Sequence, residues 1–209
     1  MTQTWHIPVA PAAARFAETL RAAVPELRTD RCLLRAPRLE DAPLWVSLMA
    51  PDSEGHLGGP MSEADAYVEF TSYTGDWLLR GHGLWTVTDH AEQVLGFVLV
   101  GVEPGDQEPE LGWLFLPEAR GKGLATEAAA AARDHALGTL GLPNLVSYID
   151  PANAASARVA ERLGAWRDKD FDGSQVWVHK PVAQNNVSTR VETEGRHEED
   201  AIQTAKRGA

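Results

Sequence analysis

The feature that most constrains the fold is an abrupt change of periodicity between residues 110 and 137. The apolar run "ELGWLFL" is typical of a strand, and the alanine-rich run that follows "ARGKG" is typical of a helix. Gly121 and Gly123 lie between the two and permit a backbone with positive φ. Helix N-termini carry unpaired N–H groups and a partial positive charge, so such a turn can bind a phosphate. The segment therefore predicts a strand–turn–helix unit with an anion site at its turn.

Apolar patterning on both sides of this unit predicts a mixed, twisted sheet flanked by helices. Strands are expected at residues 31–37, from 84, 94 and 110, and at 145–150 and 174–180, and helices from about 40, at 62–79 and at 154–163. Polar turns near residues 89–92 and 103–108 predict an antiparallel meander for the three central strands. The strand–helix–strand order after residue 110 predicts parallel neighbours. The expected fold class is α/β, with the meander joined to a parallel βαβ unit.

Length and composition indicate one domain with two appended segments. With 209 residues, 44% hydrophobic content and seven tryptophans, the chain can bury one sizeable core. Residues 1–27 are expected to form an N-terminal arm with a short helix at 12–23, and residues 28–183 the folded domain. Residues 184–209 contain almost no large apolar side chain, so this tail is expected to be disordered.

The net charge of −11, of which the tail contributes only −1, bears on the partners of the protein. An acidic domain repels phosphate backbones and favours cationic ligands, so nucleic acid is not an expected partner. No apolar run approaches the ~18 residues of a membrane span. No basic residue precedes Arg15, and Pro8 and Pro11 interrupt the first apolar stretch, so no signal peptide is expected. These features favour a cytoplasmic protein without a membrane partner.

The sequence indicates neither a disulfide nor a metal site. Cys32 is the only cysteine, so it cannot form an internal disulfide, and its apolar neighbours predict a buried structural thiol. Four histidines are scattered without ligand spacing, so no metal is expected. They are His82, His90, His135 and His179.

Two common phosphate-binding motifs do not fit the glycine turn. A Walker A loop needs Gly-Lys-Ser/Thr, whereas Leu124 follows Gly123 in this chain. A dinucleotide-binding fingerprint needs Gly or Ala at the position of Thr126. The pattern Arg120-x-x-Gly123-x-Ala125 instead resembles the (Q/R)-x-x-G-x-(G/A) signature of the GNAT N-acetyltransferases.

A second block extends this resemblance. The segment from Asn153 to Arg158, followed by "VAERLGAW", resembles the next motif of the family, and the order of elements from residue 27 to 180 is similar to the GNAT fold. The stretches "ELGWLFLPEARGKGLATEA" and "NAASARVAERLGA" are similar to the branch of ribosomal-protein N-terminal alanine and serine acetyltransferases. The resemblance covers about three quarters of the chain.

The resemblance implies that acetyl-CoA binds as a co-substrate along the central strand and the turn. The main chain of Leu114, Phe115 and Leu116 would pair with the pantetheine arm. Asn153 would contact the pantetheine, and it is equally suited to cap the helix that follows. The pyrophosphate would lie against the turn formed by Arg120, Gly121, Lys122, Gly123, Leu124 and Ala125.

Glu110 and Ser156 are the catalytic candidates that the resemblance implies. Glu110 would deprotonate the amine, directly or through a water, although it is equally an ordinary strand-end acid beside Glu108. Ser156 would lie near the sulfur, although a serine in a first helical turn also satisfies backbone N–H groups. Many members carry a tyrosine as general acid seven residues after the asparagine, where this chain has Ala160. In this chain the leaving thiolate would be protonated by Ser156 or by a water, or its protonation would need no assigned acid.

The predicted function is an acetyl-CoA-dependent N-acetyltransferase in which a primary amine attacks directly in a ternary complex. The sequence shows no pair of a nucleophile and a base, so no covalent enzyme intermediate is expected. The acceptor is either a protein N-terminus or a small amine, and Trp45, Trp77 and Trp85 either line its pocket or belong to the core. The alternative function is a non-catalytic module that binds an acyl-CoA as a sensor or structural ligand.

Overall fold

The structure, a computed structural model, describes residues 3–50 and 61–180. The tail expected at residues 184–209 and the last residues of the expected domain, 181–183, lie outside the described residues. The short N-terminal helix predicted from the sequence is present as α1, Pro11–Arg21. None of the helices in the described ranges has the length and apolarity needed to span a membrane.

Within these ranges eight strands form one sheet, in the order β1-β2-β3-β4-β5-β6-β8-β7. The strands are β1 Leu27–Arg28, β2 Leu33–Arg35, β3 Leu84–Thr88, β4 Val94–Gly101, β5 Glu110–Phe115, β6 Val146–Ile149, β7 Trp166–Phe171 and β8 Ser174–Val178. Neighbours from β1 to β5 are antiparallel, β5 and β6 are parallel, and the remaining pairs are antiparallel. The mixed sheet predicted from the sequence is confirmed.

Helices cover both faces of this sheet. They are α2 Ala42–Met49, α3 Glu63–Leu79, α4 Leu124–Asp134 and α5 Ala154–Arg162. Because side chains alternate along a strand, β4 directs Val98 and Val100 toward the core with α4, and Phe97 and Leu99 toward the core with α2 and α3. The sheet is therefore the middle of three layers, and each of its faces contributes to a separate core.

The end of the sheet differs from the expectation drawn from the sequence. β6 and β8 are antiparallel rather than parallel, because the additional strand β7 lies between α5 and β8. The residues of β7, "WRDKDF", are mostly exposed and show no apolar alternation, so their pattern did not predict a strand. The β7–β8 hairpin turns at Asp172 and Gly173, whose φ angles are 45° and 80°. Only the β5–α4–β6 unit is parallel as predicted.

The parallel strands β5 and β6 diverge soon after they meet. Within these described strands one register pair, Glu110 with Val146, joins them, and Val146 N donates to Pro109 O at 2.9 Å. Ser147 Oγ also donates to Leu111 O at 2.6 Å. Beyond these contacts no further register pair joins these two described strands, which leaves a gap in the pairing between their carboxyl-terminal halves, on the side of the turn from β5 into α4.

Candidate active site

Two clefts meet at Trp113 and Leu114 of β5, which line both of them. The first has a volume of about 460 Å³ and lies between the turn that precedes α4 and the start of α5. The second has a volume of about 770 Å³ and is bounded by α2, α3, the β4–β5 turn and the β7–β8 turn. A molecule in one cleft could therefore contact a molecule in the other at the middle of β5.

The smaller cleft is called the basic cleft, because Arg120, Arg158 and Arg162 line it and none of its described lining residues is acidic. Arg158 and Arg162 are four residues apart on α5, so they share one face of that helix. Their spacing relative to Asn153 was visible in the sequence, but only the fold brings them opposite the glycine turn. The charge of this cleft suits a polyanionic ligand.

The glycine turn has the geometry that the sequence predicts. The φ angles of Gly121 and Gly123 are 73° and 79°, and Gly123 offers no side-chain cap to the helix that starts at Leu124. The first helical bond runs from Glu127 N to Gly123 O at 3.1 Å, so the N–H groups of the preceding turn have no helical acceptor. Thr126 Oγ1, in this first turn, is buried and has no hydrogen-bond partner among the described residues. A bound anion would satisfy these donors.

The carboxylate of Glu127 anchors this turn to the β1–β2 hairpin. It accepts hydrogen bonds from Thr29 Oγ1 at 2.6 Å, from Arg31 N at 2.8 Å and from Arg31 Nε at 2.6 Å. Although partial burial alone would raise the pKa of Glu127, the bonds from Thr29 and Arg31 and the charge of Arg31 lower it. Glu127 therefore stays ionised and holds the start of α4 in place.

The main chain of β5 divides its hydrogen bonds between two sides. Leu116 N donates to Leu95 O at 3.0 Å, and Leu116 O accepts from Ala119 N at 2.9 Å. Since bonded and non-bonded pairs alternate along an antiparallel ladder, Leu114 also faces β4, whereas Trp113 and Phe115 direct their main-chain groups toward the gap, where Phe115 O accepts from Arg120 Nε at 2.9 Å. Of the three strand residues predicted to meet the pantetheine, the register thus favours Phe115, and it adds Trp113.

Asn153 and Ser156 both line the basic cleft at the start of α5. Asn153 Oδ1 accepts from Ser156 N at 3.0 Å, which is the N-cap role predicted from the sequence and leaves the Asn153 amide nitrogen available to a ligand. Ala160, at the position where many relatives carry tyrosine, has no exposed surface and packs with Ile149 and Trp177. That face of α5 belongs to the core, so position 160 does not supply a general acid here.

The larger cleft is called the acidic cleft, because six carboxyl groups line it: those of Glu69, Glu103, Asp106, Glu110, Asp150 and Asp172. None of the described residues that line it is Lys, Arg or His. Three of these acids lie on or next to β4 and β5, one on α3, and two on the loops at the far end of β6 and β7. The two clefts that meet on β5 therefore carry opposite charge.

Glu110 is the candidate general base predicted from the sequence, and it is half-buried at the start of β5 in the acidic cleft. Its Oε1 accepts from Tyr148 N at 3.4 Å. Burial, and secondarily the negative charges of Glu103 and Asp106, raise the pKa of Glu110 to about 8. A carboxyl group with a pKa near neutrality can exchange a proton with an amine during a reaction.

A second group of side chains in the acidic cleft was not anticipated from the sequence. The Tyr73 hydroxyl donates to Glu103 and also lies 3.4 Å from Glu69 Oε1. Burial, with repulsion from Glu103, raises the pKa of Glu69 to about 7. Two of the three residues lie on α3 and the third on the β4–β5 turn. Because Glu69 and Glu103 are more than 30 positions apart, no local sequence pattern predicted that they would lie together.

The three tryptophans considered for the pocket have separate roles. Trp45 lines the acidic cleft and is also part of the core. Trp77 and Trp85 pack against each other edge-on at 4.6 Å on the opposite, α4-facing side of the sheet. Their indole nitrogens donate to the main chain, Trp77 to Leu84 O and Trp85 to Pro25 O. Only Trp45 can therefore contact a ligand in this cleft.

Cys32 is buried, as predicted, and desolvation raises the pKa of its thiol, so it remains a structural thiol. In the part of the chain that the structure describes, no group of three or more His, Cys, Asp or Glu side chains is arranged to hold a metal ion.

The sequence and the fold are both similar to those of known acetyltransferases. Residues 31–165 match the family described as the acetyltransferase (GNAT) domain. A solved acetyltransferase from Agrobacterium tumefaciens is 36% identical, with a TM-score of 0.71, and the match covers 75% of this chain and 95% of that one. The uncharacterized N-acetyltransferase YnaD of Bacillus subtilis is 24% identical over 150 residues, 69% of this chain and 85% of that protein.

A further solved structure is similar in fold. It is RimL, a ribosomal L7/L12 alpha-N-protein acetyltransferase in complex with coenzyme A, with a TM-score of 0.61 at 15% identity, over 75% of this chain and 98% of that one. The branch suggested by the sequence is thus represented among the structural neighbours. With the family match covering well over half of its residues, the chain belongs to the GNAT acetyltransferase family.

Proposed function

We propose that the protein is an N-acetyltransferase that moves the acetyl group of acetyl-CoA to a primary amine. The observation that carries the proposal is the meeting of a basic and an acidic cleft at Trp113 and Leu114. Acetyl-CoA is a polyanion and an amine is a cation at neutral pH, so each cleft suits one substrate. A cytoplasmic location is part of the proposal, because that compartment supplies acetyl-CoA.

In this proposal the basic cleft binds acetyl-CoA. The unpaired N–H groups of the turn from Gly121 to Ala125 and the orphaned hydroxyl of Thr126 would hold the pyrophosphate. Arg120 and the two arginines of α5 would add charge to the phosphates. The main chain of Trp113 and Phe115 would pair with the pantetheine in the gap beside β6, which directs the thioester toward the acidic cleft.

Glu110 would act as the general base, directly or through a water. The amine must lose a proton before its lone pair can attack the thioester carbonyl carbon, and Glu110 accepts that proton. A C–N bond then forms and the C–S bond breaks, so the electron pair of that bond leaves with the thiolate of coenzyme A, and the extra proton on the new amide nitrogen passes to that thiolate or to water. A thiol pKa of about 8.5 makes this thiolate a stable leaving group, to which the Ser156 hydroxyl would donate a hydrogen bond.

Calorimetric titration with acetyl-CoA, followed by a thiol-release assay with a panel of amines, tests the proposal. Wild type should bind acetyl-CoA, and Gly123→Glu should not, because it places a negative side chain at a backbone with a φ of 79° inside the anion site. Gly138→Glu is the matched control, since Gly138 is exposed and an added Cβ there meets nothing within 4 Å. Binding without thiol release from any amine would instead indicate the non-catalytic alternative.

A further inference from the structure

The acidic cleft contains an unsatisfied polar site at the end formed by α2 and α3. Glu69 Oε2 is buried and accepts no hydrogen bond from the described residues, and Trp45 Nε1, on a side chain only 4% exposed, donates none. The indole N–H of Trp45 faces Glu69 and lowers the pKa of its carboxyl group, although the two groups lie outside ordinary hydrogen-bond geometry. Buried polar atoms without partners are rare in proteins, so the unpaired Glu69 Oε2 points to a ligand that donates a hydrogen bond.

An alkylammonium group has the donors that Glu69 Oε2 lacks, although it cannot accept from Trp45 Nε1, which is itself a donor. Its N–H groups can donate to Glu69 Oε2, and its charged form can also lie against the ring of Trp45. Glu103, bonded to the Tyr73 hydroxyl, lies beside Glu69 and supplies a second negative charge. Two carboxyl groups and an aromatic ring around one position favour an ammonium group.

Glu69 and Glu110 come from different elements that line the same cavity. Glu110, Gly112 and Leu114 lie on the same face of β5 because side chains alternate along a strand, and Leu114 is shared with the basic cleft. Glu69 and Tyr73 come instead from α3, and both positions open into the same cavity. A ligand with two amines could therefore occupy both.

The walls between the two positions are apolar. Leu84, Phe97 and Leu99 line the cleft on the sheet side. Such walls suit a chain of methylene groups, whereas a peptide chain would bring main-chain N–H and C=O groups that they cannot satisfy. The volume of about 770 Å³ also lies in the range of small-molecule sites.

We infer that the acceptor is an aliphatic diamine or polyamine, with its reacting amine at Glu110 and a second, cationic amine at Glu69, Tyr73 and Glu103. The inference rests on the proposed function and names its acceptor class. It excludes acceptors that place a carboxylate at the second position, because the described lining of the cleft offers no cation to pair with it. The raised pKa values of Glu69 and Glu110 agree with a cluster of acids that lacks its counter-ion.

The test compares two probes that differ only in their second end group, pentane-1,5-diamine and 6-aminohexanoate. Each is titrated calorimetrically into the full chain saturated with coenzyme A, and thiol release from acetyl-CoA is then measured with each. The diamine should bind at least about tenfold more tightly, as expected when one buried charge pair is gained in place of a repulsion. Spermidine should behave like the diamine.

Variants locate the second position. Glu69→Gln and Glu103→Gln should each weaken diamine binding by about tenfold and leave acetyl-CoA binding unchanged. Glu18→Gln, on the exposed face of α1, removes the same charge outside the cleft and should change neither. Circular dichroism of each variant confirms that it is folded.

Other outcomes separate this inference from the proposed function. Equal affinity for the two probes, or release of thiol only with a basic N-terminal peptide, would overturn the inference and leave the acetyltransferase intact. Diamine binding that depends on Glu69 in a protein that does not bind acetyl-CoA would support the second position and refute the proposed function.

Discussion

Arg31 donates from Nη1 to the main-chain carbonyl oxygen of Lys122 at 2.9 Å, in the middle of the glycine turn. The same side chain pairs with Glu127 at 2.6 Å in the first turn of α4. Lys122 itself does not line the basic cleft, so it takes part through its backbone rather than its charge. The turn that would hold the pyrophosphate is thus positioned by a residue 91 positions earlier in the chain.

Arg31→Ala should weaken acetyl-CoA binding by about tenfold, which corresponds to ~1.4 kcal/mol. The physical reason is that the turn loses the two contacts made by the Arg31 side chain, to the Lys122 carbonyl oxygen and to the Glu127 carboxylate, so the ligand must supply part of its ordering, while Thr29 Oγ1 and Arg31 N still bind Glu127. Isothermal titration calorimetry measures the change. Arg28→Ala is the matched control, because Arg28 is exposed in the same hairpin and pairs only with Glu26 among the described residues. Equal affinities of both variants would contradict a positioning role for Arg31.

Thr126→Val should raise the stability of the free protein and weaken acetyl-CoA binding. The free protein gains because a buried hydroxyl without a partner is replaced by a methyl group of the same shape, a change of about 1 kcal/mol. The complex loses because the hydroxyl can no longer donate to a phosphate. Thermal melts with and without acetyl-CoA measure both effects. A loss of stability in the free protein would mean that the hydroxyl already has a partner.

Glu110→Gln should lower kcat by about 10² or more, as expected for loss of a general base, while acetyl-CoA affinity stays unchanged. The wild-type rate should rise with pH as Glu110 loses its proton near its pKa of about 8, and the variant should lack that rise. Glu108→Gln, two residues earlier and outside the cleft lining, is the control. An unchanged kcat at saturating substrate would remove Glu110 from the mechanism.

The stability of the ligand-free protein should fall as pH rises toward 8. The pKa values of Glu69 and Glu110 are raised by folding to about 7 and about 8, so the folded state binds more protons than the unfolded state between their ordinary pKa of 4.5 and these values. The groups that face them are Trp45, Tyr73 and Glu103 for Glu69, and Glu103, Asp106 and the Tyr148 main chain for Glu110.

Chemical denaturation from pH 5 to 8.5 measures this dependence, which should be on the order of 1–2 kcal/mol because both groups keep some contact with water. The double variant Glu69→Gln/Glu110→Gln should flatten it. Saturating pentane-1,5-diamine should also flatten it in the wild type, since a bound cation lowers both pKa values. A steeper loss of stability in the double variant would contradict the assignment.

Local sequence patterns predicted those helices, strands and turns that are determined by interactions between residues close together in the sequence. The change from strand to helix periodicity located β5 and α4, and the positive φ of Gly121 and Gly123 followed from the need for a tight turn between them. The helix predicted at 62–79 likewise begins at a local cap, in which Ser62 Oγ accepts from Asp65 N at 3.1 Å. In each case the interacting groups lie within a few residues of one another, so the sequence alone contains both partners.

Local sequence patterns did not predict the strand β7 or the antiparallel pairing that results from it. Its exposed, charged residues form a strand because β8 supplies the hydrogen bonds from one side, not because its own pattern favours one. The antiparallel direction of β8 beside β6 follows from that extra strand. Pairing between strands depends on the tertiary structure, so the sequence of a polar edge strand alone does not indicate its partner.

The sequence by itself determined the family signature, the glycine turn as a candidate anion site and Glu110 as a candidate base, because each depends on residue types within one short segment. Only the tertiary structure decided which charges share a cavity. Glu69 from α3 and Glu103 from the β4–β5 turn converge with Glu110, while Arg158 and Arg162 face the turn before α4. Electrostatic interaction depends on distance through space, and the distances that separate an acidic cleft from a basic one exist only after the sheet has formed.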